Sequence, residues 1–158
     1  MSGELMSWAE QEAKENIRFR LHISELLAKS AETTLVMVFA GMGGAMAYVV
    51  HHADHLTAWH VVGAVAVAAW LMAAACILVL FCMMAMDLPV PANEPKNLYQ
   101  TDYDTVALRK VELENVQERI DAVKYRNQYI AGWLNRARLM AVATPVVFIV
   151  VSVLAAAC

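Results

Sequence analysis

The densest group of chemically capable side chains is His51-His52-Ala53-Asp54-His55-Leu56, with His60 beyond it. On a helix His51 and His55 share a face at i, i+4, the spacing of a metal-ligand pair. The same residues read foremost as a polar turn at a membrane surface, where histidines are neutral near pH 7. No metal site is assigned on this pattern. His22 stands alone among helix-forming residues and reads as a surface residue. Glu32 borders a long apolar run, and an ionisable group at membrane depth is a functional candidate; a boundary carboxylate can also pair with Lys29 at i−3. The three cysteines, Cys76, Cys82 and Cys158, have neither zinc spacing nor a disulfide framework. No nucleophile–base arrangement, phosphate-cradling glycine loop or pair of catalytic carboxylates is present, so an enzyme is not expected.

The elements that carry these groups are set by three apolar runs. The first is Thr33 to Val50, about 18 residues and roughly 27 Å as a helix, close to the minimum for crossing hydrocarbon. The second, Leu56 to Met86, would be roughly 46 Å long and would have to tilt or project. The third runs from Leu139 to Ala157. Tyr48, Trp59 and Trp133 lie at the edges of these runs, as interfacial aromatics do. The expected fold class is all-α: an integral membrane protein of three transmembrane helices with a cytosolic helical or coiled-coil bundle. Its parts are a cytosolic N-terminal helix (1–32), two spans with a short outer turn at 51–56 (33–86), a cytosolic linker and long helix (87–138), and a third span (139–158).

Orientation follows from the basic residues. The chain has 12 Lys and Arg. Lys14, Arg18, Arg20 and Lys29 precede the first run; Lys96, Arg109, Lys110, Arg119, Lys124, Arg126, Arg136 and Arg138 lie between the second and third. The turn after the first run and the end of the chain have none. Basic residues stay on the cytoplasmic side, which predicts an N-terminus inside and a C-terminus outside in a bacterial inner membrane. Glu4, Glu10, Glu12, Glu15 and Glu25 precede any apolar run, contrary to a secretory signal. Charges of both signs are interleaved, which argues against nucleic-acid binding. Few spans, little charge within them and no inverted repeat argue against a transporter.

The polar segments read as helices. Residues Gly3 to Glu32 are rich in Ala, Glu, Leu and Arg, and this helix is expected to run into the first span unbroken. Pro89, Pro91 and Pro95 mark a linker, Tyr99 to Tyr103 an irregular stretch, and Asp104 or Thr105 a helix cap. Beyond them Leu113, Val116, Ile120, Val123, Asn127, Ile130 and Leu134 recur at alternating three- and four-residue steps, the seam of a coiled coil with one polar member. Such a seam serves a homo-oligomer, or packs within the chain on the N-terminal helix. Small residues at Ala40/Gly44, Gly41/Ala45, Gly43/Ala47 and Ala64/Ala68 would let spans approach closely. Pro145 would introduce a kink.

Ala31-Glu32-Thr33-Thr34 at the mouth of the first span, its Gly-rich centre, and Lys124-Tyr125-Arg126 and Arg136-Ala137-Arg138 ahead of the last span resemble the Pycsar transmembrane effector family. The likeness extends more loosely to membrane effectors of other cyclic-nucleotide anti-phage systems such as CBASS. Thr34 stands where the family usually has Lys. The resemblance implies an effector held silent in the inner membrane until a cyclic nucleotide, made by a partner cyclase, binds the cytosolic helices and the membrane is disrupted. Arg18, Arg20, Lys29, Arg119, Lys124 and Arg126 would then supply donors for phosphate, and Tyr125 and Tyr129 surfaces for stacking on a base. The partners expected are the lipid bilayer, further copies of the chain and the nucleotide, with no other cofactor. A holin-like or superinfection-immunity protein, or a membrane scaffold anchoring a soluble partner, are the other classes that fit.

Overall fold

In the computed structural model the described residues are 2–51, 57–84 and 104–157. They form helix α1 (Ser2–His51), helix α2 (Ala58–Ile77) continued by a π-helical turn at Leu78–Met83, and helix α3 (Thr105–Ala157). No strand occurs among the described residues. The N-terminal helix does run unbroken into the first apolar run. Each helix is long and apolar enough to cross a membrane. The 26 residues of Ala58–Met83 rise about 39 Å, longer than a hydrocarbon core. Pro145 lies inside α3 without ending it; the ring costs the Ala141 carbonyl its helical donor, and the surrounding turns hold. His52, Asp54, His55, the proline linker with Lys96, Tyr99 to Tyr103 and Cys158 lie outside the described residues.

The chain divides into two compact units. Unit 1 comprises Met1–Leu27 and Ala85–Tyr129; unit 2 comprises Ala28–Met84 and Ile130–Cys158.

In unit 1, α1 and α3 run parallel. Glu10 meets Arg109 near the start of both helices, and Ser24 meets Asn127 further along both. Ile17, Val116 and Ile120 form the buried core, with Ala13 and Leu21 packed against it. The heptad-like seam read from α3 is therefore covered by α1 of the same chain: Val116, Ile120, Val123 and Asn127 are buried, and Leu113 is half-buried. Its polar member is satisfied there. Ser24 Oγ donates to Asn127 Oδ1 at 2.7 Å, and Asn127 Nδ2 donates to the Arg20 carbonyl at 2.9 Å. A buried amide with specific acceptors favours one register over a slide by a turn, where those bonds would be lost.

Unit 2 is a three-helix packing. Gly63 lies against Phe148 and Ser152, Trp70 Nε1 donates to the Met140 carbonyl at 2.8 Å, and Cys82 meets the Ile130 carbonyl, so α2 runs antiparallel to α3. Gly41 faces Leu71, and Ala45 and Tyr48 share a cleft with Ala64 and Val67, so α2 also runs antiparallel to α1. Ala31, Val38, Ala64, Val67, Leu71, Ala74, Ala75, Leu78, Leu134 and Ala137 fill the interior. Half of these residues are alanine, which permits close helix approach. Large apolar side chains point outward instead, among them Val36, Met37, Val65, Leu80, Leu139, Val142, Ile149 and Leu154.

Candidate functional site

Seven of the eight residues expected to hold a nucleotide fall in unit 1, and Lys29 falls in unit 2. The helix geometry spreads them over several faces. With about 100° per residue, Arg119 and Arg126 lie on one flank of the buried α3 seam, with Tyr129 near them. Lys124 lies on the other flank, and Tyr125, 74% exposed, points away from the seam. Arg119 pairs with Glu112 at 3.7 Å and is itself half-buried. Arg126 Nε is buried with no hydrogen-bond acceptor among the described residues. On α1, Arg20 Nε donates to Asn16 Oδ1 at 2.8 Å, while Arg18 is exposed. Arg119 and Arg126 thus share one flank of α3, with Tyr129 at i+3 from Arg126 and on the same face as Tyr125 at i, i+4.

A groove of unit 1 lies elsewhere. It has a volume of about 840 Å³ between α1 and α3 and is lined by Trp8, Phe19, Leu113, Ile120 and the carboxylates Glu12, Glu15 and Glu114, with Arg20 its only base among the described residues. Trp8 and Phe19 are 60% and 65% exposed, unusual for large aromatics on a polar helix. The charge balance suits a cationic or apolar ligand better than a phosphate. At the groove's end of the helix pair, Arg109 Nε and Nη2 grip Glu10 at 2.7 and 3.0 Å. The guanidinium hydrogen bonds hold the Glu10 carboxyl below the usual range, and Glu10 in turn raises Arg109. This fork ties the beginnings of the two helices.

A second cluster lies in unit 2, where polar sequence gives way to apolar sequence. Arg138 reaches from α3 to two hydroxyls of α1: its Nη2 donates to Ser30 Oγ and its Nε to Thr34 Oγ1 at 3.4 Å. Thr34 spends its own proton on the Ser30 carbonyl at 2.7 Å. Arg136 sits 4.5 Å from the centre of the Trp133 ring, a cation–π contact, and Trp133 stacks on Phe81 with centroids 4.3 Å apart and planes at 12°. Phe81 belongs to the π-helical turn, whose Cys82 thiol approaches the Ile130 carbonyl at 3.8 Å. A π turn widens the helix by one residue per turn and is uncommon outside functional or strained positions. Leu78–Met83 is uniformly apolar and holds no Gly or Pro to announce it.

At the other end of α2, Thr57 Oγ1 bonds His60 Nδ1 at 2.8 Å, and His60 stacks on Trp59. Among the described residues no group of three or more His, Cys, Asp or Glu is placed to hold a metal.

No family model, curated protein or solved structure matches this chain.

Proposed function

We propose that this chain is an integral protein of the bacterial inner membrane, crossing it three times with the N-terminus inside and the C-terminus outside. In this reading it is a defence effector: a nucleotide second messenger acts on the cytosolic helices, and the spans respond by breaching the membrane. The observation that carries the membrane part is the outward apolar surface of unit 2. Val142 and Leu139 are 76% and 69% exposed, while five alanines (Ala31, Ala64, Ala74, Ala75 and Ala137) lie in the interior among Val and Leu. Such a surface is unfavourable in water and suited to lipid, where packing of small residues replaces hydrophobic burial as the cohesive force. The antiparallel α2 supports an odd number of crossings, since α1 and α3 then traverse in the same direction.

The coupling part is supported by α1 and α3, each a single helix joining a polar stretch to an apolar one. A movement imposed on the polar end of a continuous helix is carried along it. The trigger part rests on the resemblance given above, and Arg119, Arg126 and Tyr129 are the residues best arranged for it. The test is inducible expression in cells loaded with candidate cyclic nucleotides, reading membrane potential. Depolarisation that needs both the protein and one nucleotide supports the effector. Nucleotide-independent depolarisation favours a holin.

A scaffold reading is favoured by one observation, the acidic groove with its exposed Trp8 and Phe19. A soluble partner with a basic amphipathic segment would match it. Loss of co-purified partner on Trp8→Ala with Phe19→Ala, and an unresponsive membrane potential, would select that reading.

A further inference from the structure

Among the described residues Arg138 has no counterion. Its two described partners are the neutral hydroxyls of Ser30 and Thr34, and no carboxylate lies within ion-pair reach among the described residues. A guanidinium carries five N–H donors, so most of its hydrogen-bonding capacity is unspent. Thr34 is oriented by its bond to the Ser30 carbonyl, which turns a lone pair toward Arg138. Ser30 Oγ accepts from Arg138 and keeps its own proton for a second acceptor. The pair thus offers a fixed guanidinium edge and a hydroxyl donor side by side, the donor set that an anionic phosphate oxygen takes.

The surroundings restrict what carries the phosphate. One turn beyond Arg138 on its face of α3 is Val142, and two turns beyond Ser30 on its face of α1 is Met37; both are strongly exposed and apolar. A ligand seated on Arg138 therefore has hydrocarbon surface on one side. Trp133, the nearby aromatic, is occupied by Phe81 and Arg136 and offers a base no free platform. We propose that Arg138 and Ser30 form a phosphate site for an anionic glycerophospholipid of the cytoplasmic leaflet, with its acyl chains along Val142 and Met37. This rests on the reading that unit 2 lies in the membrane. A basic residue in the crease between two helices at the cytoplasmic interface is the setting in which headgroups bind selectively. The site also ties α1 to α3 through the lipid, so headgroup occupancy would bias how firmly the two helices are held together.

The test uses the full chain purified in a neutral detergent, with thermal stability followed as phosphatidylglycerol, phosphatidylcholine or inorganic phosphate is added. Phosphatidylglycerol is expected to raise the Tm of the wild type, and phosphatidylcholine is not. Arg138→Gln should need about tenfold more phosphatidylglycerol for half the shift, as expected when a charge-assisted contact is lost. Ser30→Ala should weaken the response in the same direction. Arg136→Gln removes an equal charge two residues away and should respond like the wild type. Equal responses from Arg138→Gln and Arg136→Gln, or no response in the wild type, would overturn the site. An Arg138-dependent shift with inorganic phosphate equal to that with lipid would overturn the lipid assignment. Alkaline carbonate separates this from the membrane reading: extraction of the wild-type chain would sink that reading, whereas a retained chain without headgroup selectivity sinks only the site.

Discussion

Gly63 is where the packing of unit 2 is least forgiving, and Gly63→Ala tests it. A Cβ at this position would stand 2.3 Å from Ser152 Oγ and 3.1 and 3.2 Å from two ring carbons of Phe148. The ring contacts require a shift of a few tenths of an ångström, but the hydroxyl contact is far inside van der Waals distance. The hydroxyl must rotate away or α2 must move, and overpacking of this kind costs about 1–3 kcal/mol. Ser152 Oγ is itself buried and has no hydrogen-bond partner among the described residues. Ser152→Ala alone should therefore be neutral or slightly stabilising, since a buried unsatisfied hydroxyl contributes little. With the hydroxyl removed, Gly63→Ala meets only the ring, and its cost should fall below about 1 kcal/mol. The two substitutions are thus expected to be coupled by about 1–2 kcal/mol, with the double variant more stable than Gly63→Ala alone. Thermal unfolding in detergent can be followed through the buried Cys82 thiol, with Cys76 and Cys158 replaced by Ser. A thiol-reactive dye then reports the opening of this packing. An equal loss for Gly63→Ala with and without the Ser152 hydroxyl would refute the proximity on which the reasoning depends.

Two further expectations concern unit 1. Asn127→Ala removes the bonds to Ser24 and the Arg20 carbonyl and should cost about 2 kcal/mol, at roughly 1 kcal/mol per bond, whereas Asn127→Leu should cost less because it completes an apolar seam; equal melting curves for wild type and Asn127→Ala would contradict this. The depressed Glu10 carboxyl gives a pH dependence of definite sign: its stabilising effect is present above the unfolded value of about 4.3 and is lost as pH falls through the lower folded value. Glu10→Gln should flatten that acid limb in melting profiles, and an unchanged limb would mean the fork with Arg109 does not persist in solution.

The α3 seam was legible because burial on one face of a helix imposes a 3.6-residue period, and Val116, Ile120, Val123 and Asn127 obey it. Its partner was legible only as a choice between another copy and the N-terminal helix, since a period reports a buried face and not what covers it. Only Ile17, Leu21 and Ser24 opposite those residues identify α1 as the cover. The apolar runs were legible from length and composition alone. The π turn left no local trace, because its conformation is tied to tertiary contacts, Phe81 on Trp133 and Cys82 on the Ile130 carbonyl. Arg138 with Ser30 and Thr34 joins residues more than a hundred positions apart, and no spacing rule connects them. The expected ligand residues were chosen by charge and aromatic type, which says nothing about which side of a helix each would occupy; hence Tyr125 and Lys124 point away from Arg119 and Arg126.

On the proposed topology α1 and α3 carry the chain across a bilayer in the same direction. With the native cysteines replaced by Ser, a single cysteine at Ser7 or at Ala157 is challenged in spheroplasts with a membrane-impermeant maleimide. Ala157→Cys is expected to label in intact spheroplasts and Ser7→Cys only after permeabilisation. Labelling of both positions on the same side would contradict this topology.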